Sequence, residues 1–406
     1  MSSGLGRYAS LLTVAGVRPM VITGITARLP LGMVPLAIVL VVRAGGDSYS
    51  VAGVAVAAYS LAAALAVPRF GRLIDRLGQT RILLAVGGLQ PVAVVVLALL
   101  AAGHATPAAL VGSAALVGAT VPPVGACVRT LWGTLAPPGA ALETAYALEA
   151  SVQEVTFVAG PLLVAALAGA VSAIAALLAA GAIGGAGTLA FAATAASRSW
   201  HPSGHQRRPR GGALRAPAVL TVVVATAAMG AAFGAIEVVS PAFAEAHGSR
   251  AAAGFALGAF SLGSLVGGFV AGMTSSARHP ATRYLAALTA LALALVLPIA
   301  AGSIVILAAL LFVAGLPIAP AFASAYSLIN RLAMPGSSTE SFAWISTAVT
   351  VGASLGTALG GAAVQSLDVR AGFALSAALA ALGAAFAFSR RRRLSEPPAT
   401  PFAGIL

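Results

Sequence analysis

The stretch GRLIDRLGQTR, residues 71–81, decides the fold of this chain. It contains Arg72, Asp75, Arg76 and Arg81, although only 8% of all residues are charged. Long apolar segments lie on both sides of it. A short charged turn between two such segments is typical of a connection between membrane-spanning helices.

The composition of the whole chain supports this interpretation. Its 406 residues are 59% hydrophobic, whereas soluble domains contain about 45–50% apolar residues and about 25% charged ones. Twelve apolar windows follow one another, from 19–42 to 371–389, and each has roughly the 20 residues that cross a bilayer. Because backbone groups in lipid must be satisfied within the segment, we expect twelve helices and an all-α membrane protein.

The distribution of arginine predicts the orientation in the membrane. All 23 basic residues are Arg, and most of them fall in one set of connections, including 69–81, 198–215 and 390–393. The opposite connections contain Arg43, Arg250 and Arg370. Basic connections remain cytoplasmic, so we expect a multi-pass protein of the cell membrane with both termini in the cytoplasm. The formal net charge of +13 is therefore attributed to topology, and nucleic acid is not an expected partner.

Several functions lack the residues that they need. Cys127 is the single cysteine, so no internal disulfide forms. The five histidines fall in connections, without the spacing of metal ligands. The sequence contains no P-loop and no motif of a hydrolase. We therefore expect no enzymatic activity, no metal and no cofactor.

The chain divides into two similar halves. The polar stretch 196–216 predicts a central cytoplasmic loop between an N-terminal half, 1–195, and a C-terminal half, 217–389, which a tail at 390–406 follows.

A repeated motif relates these halves. LAPPGAALE at 135–143 recurs as LAMPGSSTE at 332–340, each time between the fourth and fifth windows of its half. Duplicated halves of this kind are a transporter architecture, and we expect two pseudo-symmetric groups of six helices.

Together these features resemble the major facilitator superfamily. The residues of the 71–81 turn that fit this family's signature between spans 2 and 3 are Gly71, Asp75, Arg76, Gly78 and Arg81. The resemblance covers nearly the whole chain. It implies a secondary transporter that works by alternating access on a small-molecule substrate within the lipid bilayer, as a monomer.

The resemblance also implies a latch between the halves. Asp75 would contact the start of span 11, the sequence SSTES at 337–341, where Ser337, Ser338 or Thr339 can cap the helix. A helix N-terminus attracts a carboxylate because it carries a partial positive charge. The arginines of the turn would hold Asp75 in place or bind anionic lipid, or they only set the topology.

Four ionisable residues fall inside the windows, namely Arg28, Glu149, Glu154 and Glu237. Such groups cost about 3 kcal/mol each unless they are paired or hydrated, so they are candidates for the transport site. Counting from the window starts places Arg28 and Glu154 at about the same depth of ~14 Å, and we expect them to be neighbours or to share a water-filled cavity. Gln153 shares a helix face with Glu149. The set is either a proton site that Arg28 tunes or a permanent structural pair. Glu237 is expected near the outer mouth.

The direction of transport is indicated by the fifth window. Gly160-Pro161, within 156–167, partly matches a signature of the family's drug–proton antiporters. This resemblance implies proton-coupled export. The mainly apolar spans favour a small amphipathic substrate, and the buried acids suggest a cationic group on it. The alternatives are an uptake permease for a small metabolite and a non-transporting membrane sensor or assembly protein. Arg129 is expected at the cytoplasmic end of span 4, where it pairs with Asp75 or Glu143 or only marks the boundary of the span.

Overall fold

The computed structural model describes residues 4–202, 212–247, 252–274 and 279–395. In these ranges the regular structure is helical, and twelve helical stretches are long and apolar enough to cross a membrane. The all-α fold with twelve spans is therefore confirmed. The following predicted features lie outside the described residues: Arg207, Arg208, Arg210, Arg250, Arg278 and the tail residues 396–406.

The N-terminal half consists of a short helix followed by six spans. Its helices are α1 (Gly4–Thr13), α2 (Val17–Ala44), α3 (Tyr49–Leu77), α4 (Gln79–Ala102), α5 (Pro107–Ala119), α6 (Val124–Leu135), α7 (Ala140–Ala170), α8 (Ala173–Ala192) and α9 (Ala195–Ser199). Helices α5 and α6 together form the fourth span, Pro107–Leu135. The span is broken at Pro122 and Pro123 because proline has no N–H to donate to the helix.

The C-terminal half has the same construction. Its helices are α10 (Pro217–Ala246), α11 (Ala252–Met273), α12 (Pro280–Ala294), α13 (Ile304–Gly315), α14 (Ile318–Leu332), α15 (Ser338–Ser366), α16 (Val369–Ser389) and α17 (Arg391–Ser395). The tenth span, Ile304–Leu332, is broken beside Pro317, as the fourth span is broken at its own prolines. The two halves therefore interrupt equivalent spans in the same way.

The repeated nonapeptide forms the same turn in both halves. Gly139 immediately precedes α7 with φ +96°, and Gly336 lies before α15 with φ +75°. Glycine adopts this left-handed backbone without a steric penalty. The repeat seen in the sequence is thus a repeat of structure.

Close glycine contacts hold the helices of each half together. In the N-terminal half, a Cβ atom added to Gly160 of α7 would lie 2.6 Å from the carbonyl carbon of Gly32 in α2. In the C-terminal half, α10 and α15 approach each other at Gly230, Gly234, Gly352 and Gly356. Small residues allow the backbones of membrane helices to touch, and the resulting packing drives helix association where no hydrophobic effect exists. Each half is consequently a firmly packed body.

The ends of the helical bundle differ in charge. We call the end with the Gly78 turn and the loops before α7 and α15 the arginine-rich end. The described arginines there are Arg7, Arg18, Arg69, Arg72, Arg76, Arg81, Arg198, Arg215, Arg283, Arg331 and Arg390 to Arg393. At the opposite end the described arginines are Arg43 and Arg370.

Candidate functional site

Asp75 joins the two halves at the arginine-rich end. Its Oδ1 accepts a hydrogen bond from the backbone N–H of Thr339 at 3.1 Å, and its Oδ2 accepts one from Glu340 at 2.9 Å. Only 2% of the Asp75 surface is exposed. A carboxylate from α3 therefore satisfies the free N–H groups at the start of α15, where the helix carries partial positive charge.

The predicted serine and threonine caps of α15 are replaced by this contact. Ser337 is the N-cap residue but makes no capping bond, and its hydroxyl donates to the carbonyl of Met334 at 2.8 Å. Ser338 is the first helical residue. The Thr339 hydroxyl lies 3.3 Å from that of Thr130 in α6. The capping group of this helix thus comes from the other half of the molecule.

The rest of the 71–81 turn has distinct roles. A Cβ atom at Gly71 would lie 2.9 Å from Cα of Glu340, so glycine permits the close approach of α3 and α15. Gly78 ends α3 with φ +94°. Arg76 and Arg81 are exposed, and the bonds of Asp75 go instead to α15. Holding Asp75 in place is therefore not the function of these arginines.

Arg72 and Glu340 add an ion pair to the latch. Arg72 Nη2 donates to Glu340 Oε1 at 2.7 Å. The Arg72 side chain is 44% exposed and that of Glu340 is 4% exposed. Solvent screens such a pair, so the buried carboxylate of Asp75 is the stronger component of the latch.

A second contact closes the same end between α7 and α11. Gly272 occupies the position that corresponds to Asp75. The Thr144 hydroxyl donates to the Gly272 carbonyl at 3.0 Å, and Tyr8 of α1 donates to the carbonyl of Phe269 at 3.2 Å. A Cβ atom at Gly272 would clash with the Tyr8 hydroxyl. The ring of Tyr8 therefore fills the space beside a turn that lacks an aspartate.

In the middle of the spans, Arg28 pairs with Glu149. Arg28 Nη1 donates to Glu149 Oε1 at 2.5 Å, and Nη2 donates to Oε2 at 3.3 Å. Both side chains are at most 5% exposed. Arg28 is thus the direct partner of Glu149 and not of Glu154, because α7 directs Glu149 toward α2. A cavity shared by Arg28 and Glu154 stays a prediction.

Arg129 belongs to the same buried cluster. Its Nη2 donates to Gln153 Oε1 at 2.5 Å and its Nη1 to the Ser346 hydroxyl at 3.1 Å. Its Nε lies 3.5 Å from Glu149 Oε1 but forms no hydrogen bond. The guanidinium also lies over the ring of Tyr326, 4.3 Å from its centre. The predicted position of Arg129 at the boundary, beside Asp75 or Glu143, was wrong.

Glu154 faces the other half of the molecule. The Ser264 hydroxyl of α11 donates to its Oε1 at 2.9 Å. Among the described residues no basic side chain forms an ion pair with it. Glu237 lies far along α10, where its side chain is exposed. The four predicted intramembrane charges are therefore distributed over three different environments.

Sequence reasoning missed Ser264, Tyr326 and Ser346, since a lone hydroxyl or aromatic residue in a span carries no signal. It misplaced Arg129 because the fourth apolar window, 107–128, ends one residue before it. The prolines before Val124 interrupt the helix without ending the span, and the span continues to Leu135. In the described part of the chain, no group of three His, Cys, Asp or Glu residues could hold a metal ion.

Comparisons with known proteins agree with this architecture. The family profile described as Major Facilitator Superfamily matches residues 20–249 and 222–404. The comparison with curated proteins found none that matches the chain.

Solved structures of transporters share the fold. The human organic anion transporter MFSD10 (TETRAN) has a TM-score of 0.73 at 16% identity, covering 91% of this chain and 98% of that chain. A bacterial homologue of the iron transporter ferroportin in the outward-facing state has 0.71 at 15%, covering 92% and 98%. The E. coli fucose:proton symporter FucP has 0.71 at 12%, covering 93% and 98%. These likenesses show the fold, and the profile match shows that the chain belongs to the major facilitator superfamily.

Proposed function

We propose that this chain is a proton-coupled transporter that exports small amphipathic compounds by alternating access. The observation that carries the proposal is a contrast in packing. Glycine contacts with backbone atoms join helices throughout each half, whereas the contacts between the halves, such as those of Asp75 and Gly71 with α15, are gathered between the arginine-rich end and the middle of the spans. Contacts gathered at one end break and re-form as two rigid bodies rock, while the packing within each body stays intact.

The position of the inter-half contacts supports a state that is closed at one end. Among the described residues, the hydrogen bonds and ion pairs between the halves run from the arginine-rich end to the middle of the spans. Asp75 lies near the arginine-rich end of this region. Thr347, whose hydroxyl donates to the Ala64 carbonyl at 3.1 Å, lies near the middle of the spans. With the arginine-rich end in the cytoplasm, this is an outward-facing conformation.

Glu154 is the proposed proton site. The carboxylate of Glu149 has two hydrogen bonds from Arg28, so its charge is compensated. Glu154 has a neutral hydroxyl partner instead, and that partner belongs to the opposite half. A proton on Glu154 removes a charge within the membrane, and it does so at a contact that rearranges when the halves move.

The direction of transport rests on the partial antiporter signature at Gly160-Pro161. The structure gives Gly160 a packing role against Gly32, so support for export comes from the resemblance. Proton-driven uptake is the second candidate. The observation that favours it is the positive charge of the cluster formed by Arg28, Arg129 and Glu149. This charge attracts an anion, which a co-transported proton would accompany.

The proposed orientation places both termini in the cytoplasm of a cell-membrane protein. In a Cys127→Ala background, we would introduce Ser50→Cys at the opposite end and Ser199→Cys at the arginine-rich end, since both serines are exposed. A membrane-impermeant maleimide added to intact cells should label only position 50. Labelling of position 199 instead would reverse the orientation. We also propose a monomer, which light scattering of the purified protein tests, because both halves contribute to the one polar cluster.

The decisive test of function is proton flux in proteoliposomes. An inside-acid gradient is imposed, a panel of amphipathic compounds is added, and a pH dye reports proton movement. Wild type is compared with Glu154→Gln and with the matched control Glu237→Gln, whose side chain is exposed. We expect substrate-triggered flux to survive in the control and to be lost in Glu154→Gln. Unchanged coupling in a folded Glu154→Gln protein would refute the proton site, and proton movement in the same direction as the compound would establish uptake.

A further inference from the structure

The buried cluster carries more positive than negative charge. Arg28 and Arg129 are 4% and 2% exposed, and they share one carboxylate, that of Glu149, which is 2% exposed. Two guanidinium groups stay charged at any physiological pH, so one carboxylate leaves an excess of one positive charge. An uncompensated charge in the membrane is costly and marks a functional site.

Neutral groups surround this excess charge. Arg129 contacts the amide oxygen of Gln153, the hydroxyl of Ser346 and the ring of Tyr326. Its Nε is buried and makes no hydrogen bond. The nearest acid along α7 is Glu154, whose bond goes to Ser264. The cluster therefore retains a donor and a charge that the described residues do not satisfy.

A partly exposed position beside the cluster offers an approach to it. Gly125 of α6 is partly exposed. A Cβ atom on it would lie 3.5 Å from Arg28 Cδ and 3.6 Å from Arg129 Nη2, so both side chains border the space that this glycine leaves open. Starting at Ser346, the hydroxyls of Thr350 and Ser354 follow at intervals of one turn and are exposed. They form a polar stripe along α15 from the cluster toward the opposite end.

We propose that Arg129, with Arg28, binds the anionic group of the substrate, and that the substrate is an amphipathic monoanion such as an organic carboxylate. This inference rests on the proposed transport function and specifies its substrate class. A carboxylate accepts hydrogen bonds from the planar guanidinium fork and neutralises the excess charge. The apolar spans around the cluster accommodate the body of the molecule. The charge balance thus reverses the sequence-based expectation of a cationic substrate.

The anion and the proton should reinforce each other. Glu154 lies on the same helix as Glu149 and Gln153, so a negative charge on Glu154 disfavours an anion at Arg129, and a proton on it removes that effect. Co-transport requires that the anion and the proton favour each other's binding, whereas exchange requires that they compete. The anion site therefore favours the second candidate, proton-driven uptake, and anion binding that weakens as the pH falls would favour export instead.

The test uses three probes with one apolar body, namely 1-naphthoate, 1-naphthylmethylamine and 1-naphthalenemethanol. Binding to the purified protein is followed by thermal stabilisation over a range of concentrations. We expect 1-naphthoate to stabilise wild type saturably and more strongly than the amine or the alcohol. Arg129→Gln should raise its half-saturating concentration about 10- to 100-fold. The control Arg43→Gln removes an arginine at the opposite end and should leave that concentration unchanged.

A second pair of variants leaves every charge in place. Gly125→Leu should fill the approach and abolish 1-naphthoate binding, while Gly125→Ala, whose added methyl lies at ordinary contact distances, should retain it. If Arg129→Gln fails to fold, this pair decides the question. Equal binding of the amine and the carboxylate, or full binding by a folded Gly125→Leu protein, would overturn the inference.

Two outcomes separate the substrate class from the transport function. Saturable binding of 1-naphthoate without any proton flux would support the anion site and refute proton-coupled transport. Flux triggered by the amine alone would support transport and overturn the anion site. In Glu154→Gln, which resembles the protonated acid, binding of 1-naphthoate should remain tight and lose its dependence on pH.

Discussion

Replacing Asp75 by asparagine should open the arginine-rich end. Asparagine keeps one oxygen, but its amide turns a donor toward the second backbone N–H of α15. Charge-assisted hydrogen bonds contribute about 1.5–3 kcal/mol each, and a charge at a helix N-terminus contributes ~0.3–1 kcal/mol more. A loss of about 2–4 kcal/mol raises the population open at this end roughly 30- to 700-fold, at tenfold per 1.4 kcal/mol.

The single native cysteine provides the assay. Cys127 is fully buried in α6. It lies one helical turn from Thr130, which contacts Thr339 at the latch. A maleimide can react with this thiol only after the end opens, so the labelling rate of purified protein reports the open population. The expected result is a rise in rate for Asp75→Asn, up to the limit at which the open state predominates.

A matched variant controls for the chemistry of the substitution. Asp368 also caps a helix, accepting the backbone N–H of Ala371 at 2.7 Å, but it is exposed and both residues lie in one half. Asp368→Asn should label at the wild-type rate, and Cys127→Ala should not label. A folded Asp75→Asn protein that labels as slowly as wild type would refute the latch.

Three further predictions concern stability and pH. Gly160→Leu should lower the unfolding temperature and give a polydisperse profile on size exclusion, since overpacking costs about 1–3 kcal/mol or more. The control Gly53→Leu, with no atom near the Cβ position of the glycine, should behave as wild type. Arg72→Gln should speed labelling of the buried cysteine far less than Asp75→Asn, because a half-exposed pair is worth about 0–1 kcal/mol; an equal effect would contradict this ranking. Burial lowers the pKa of His279 from its usual value of 6.5. The folded state therefore binds a proton less readily than the unfolded state. As a result, the free energy of unfolding should fall as the pH drops through about 6.5. His279→Asn, which retains an N-capping acceptor, should flatten that dependence in thermal unfolding at pH 7.5 and 5.5; an unchanged slope would assign the effect to another group.

The sequence was sufficient for the spans and the repeat, and the family resemblance supplied the contact of Asp75 with α15. The spans and the repeat follow from local rules, such as the length of an apolar segment or the glycine of a turn. The repeat was readable because Gly139 and Gly336 both need a left-handed backbone, which restricts the residue type at these positions.

The sequence could not supply the partner of Arg28. Glu149 and Glu154 are five residues apart, which turns their side chains by about 140° around the helix. Which of them faces α2 depends on the rotation of α7. That rotation is set where Gly160 meets Gly32, a contact between distant segments that no local pattern encodes.

The attachment of α1 has a consequence for how the molecule is made. Tyr8 and Leu11 are 8% and 3% exposed in the finished protein. The carbonyl of Gly268, which the Tyr8 hydroxyl contacts, lies 260 residues further along the chain. At 5–20 residues per second, a ribosome needs roughly 13 to 52 s to reach it. During that time α1 can contact α2 and α7 but lacks its partner α11, and the membrane surface can hold the part of its apolar side that α11 later covers. Docking of Tyr8 onto α11 is therefore a late event of assembly, and a bulky fusion at the amino terminus would interfere there first.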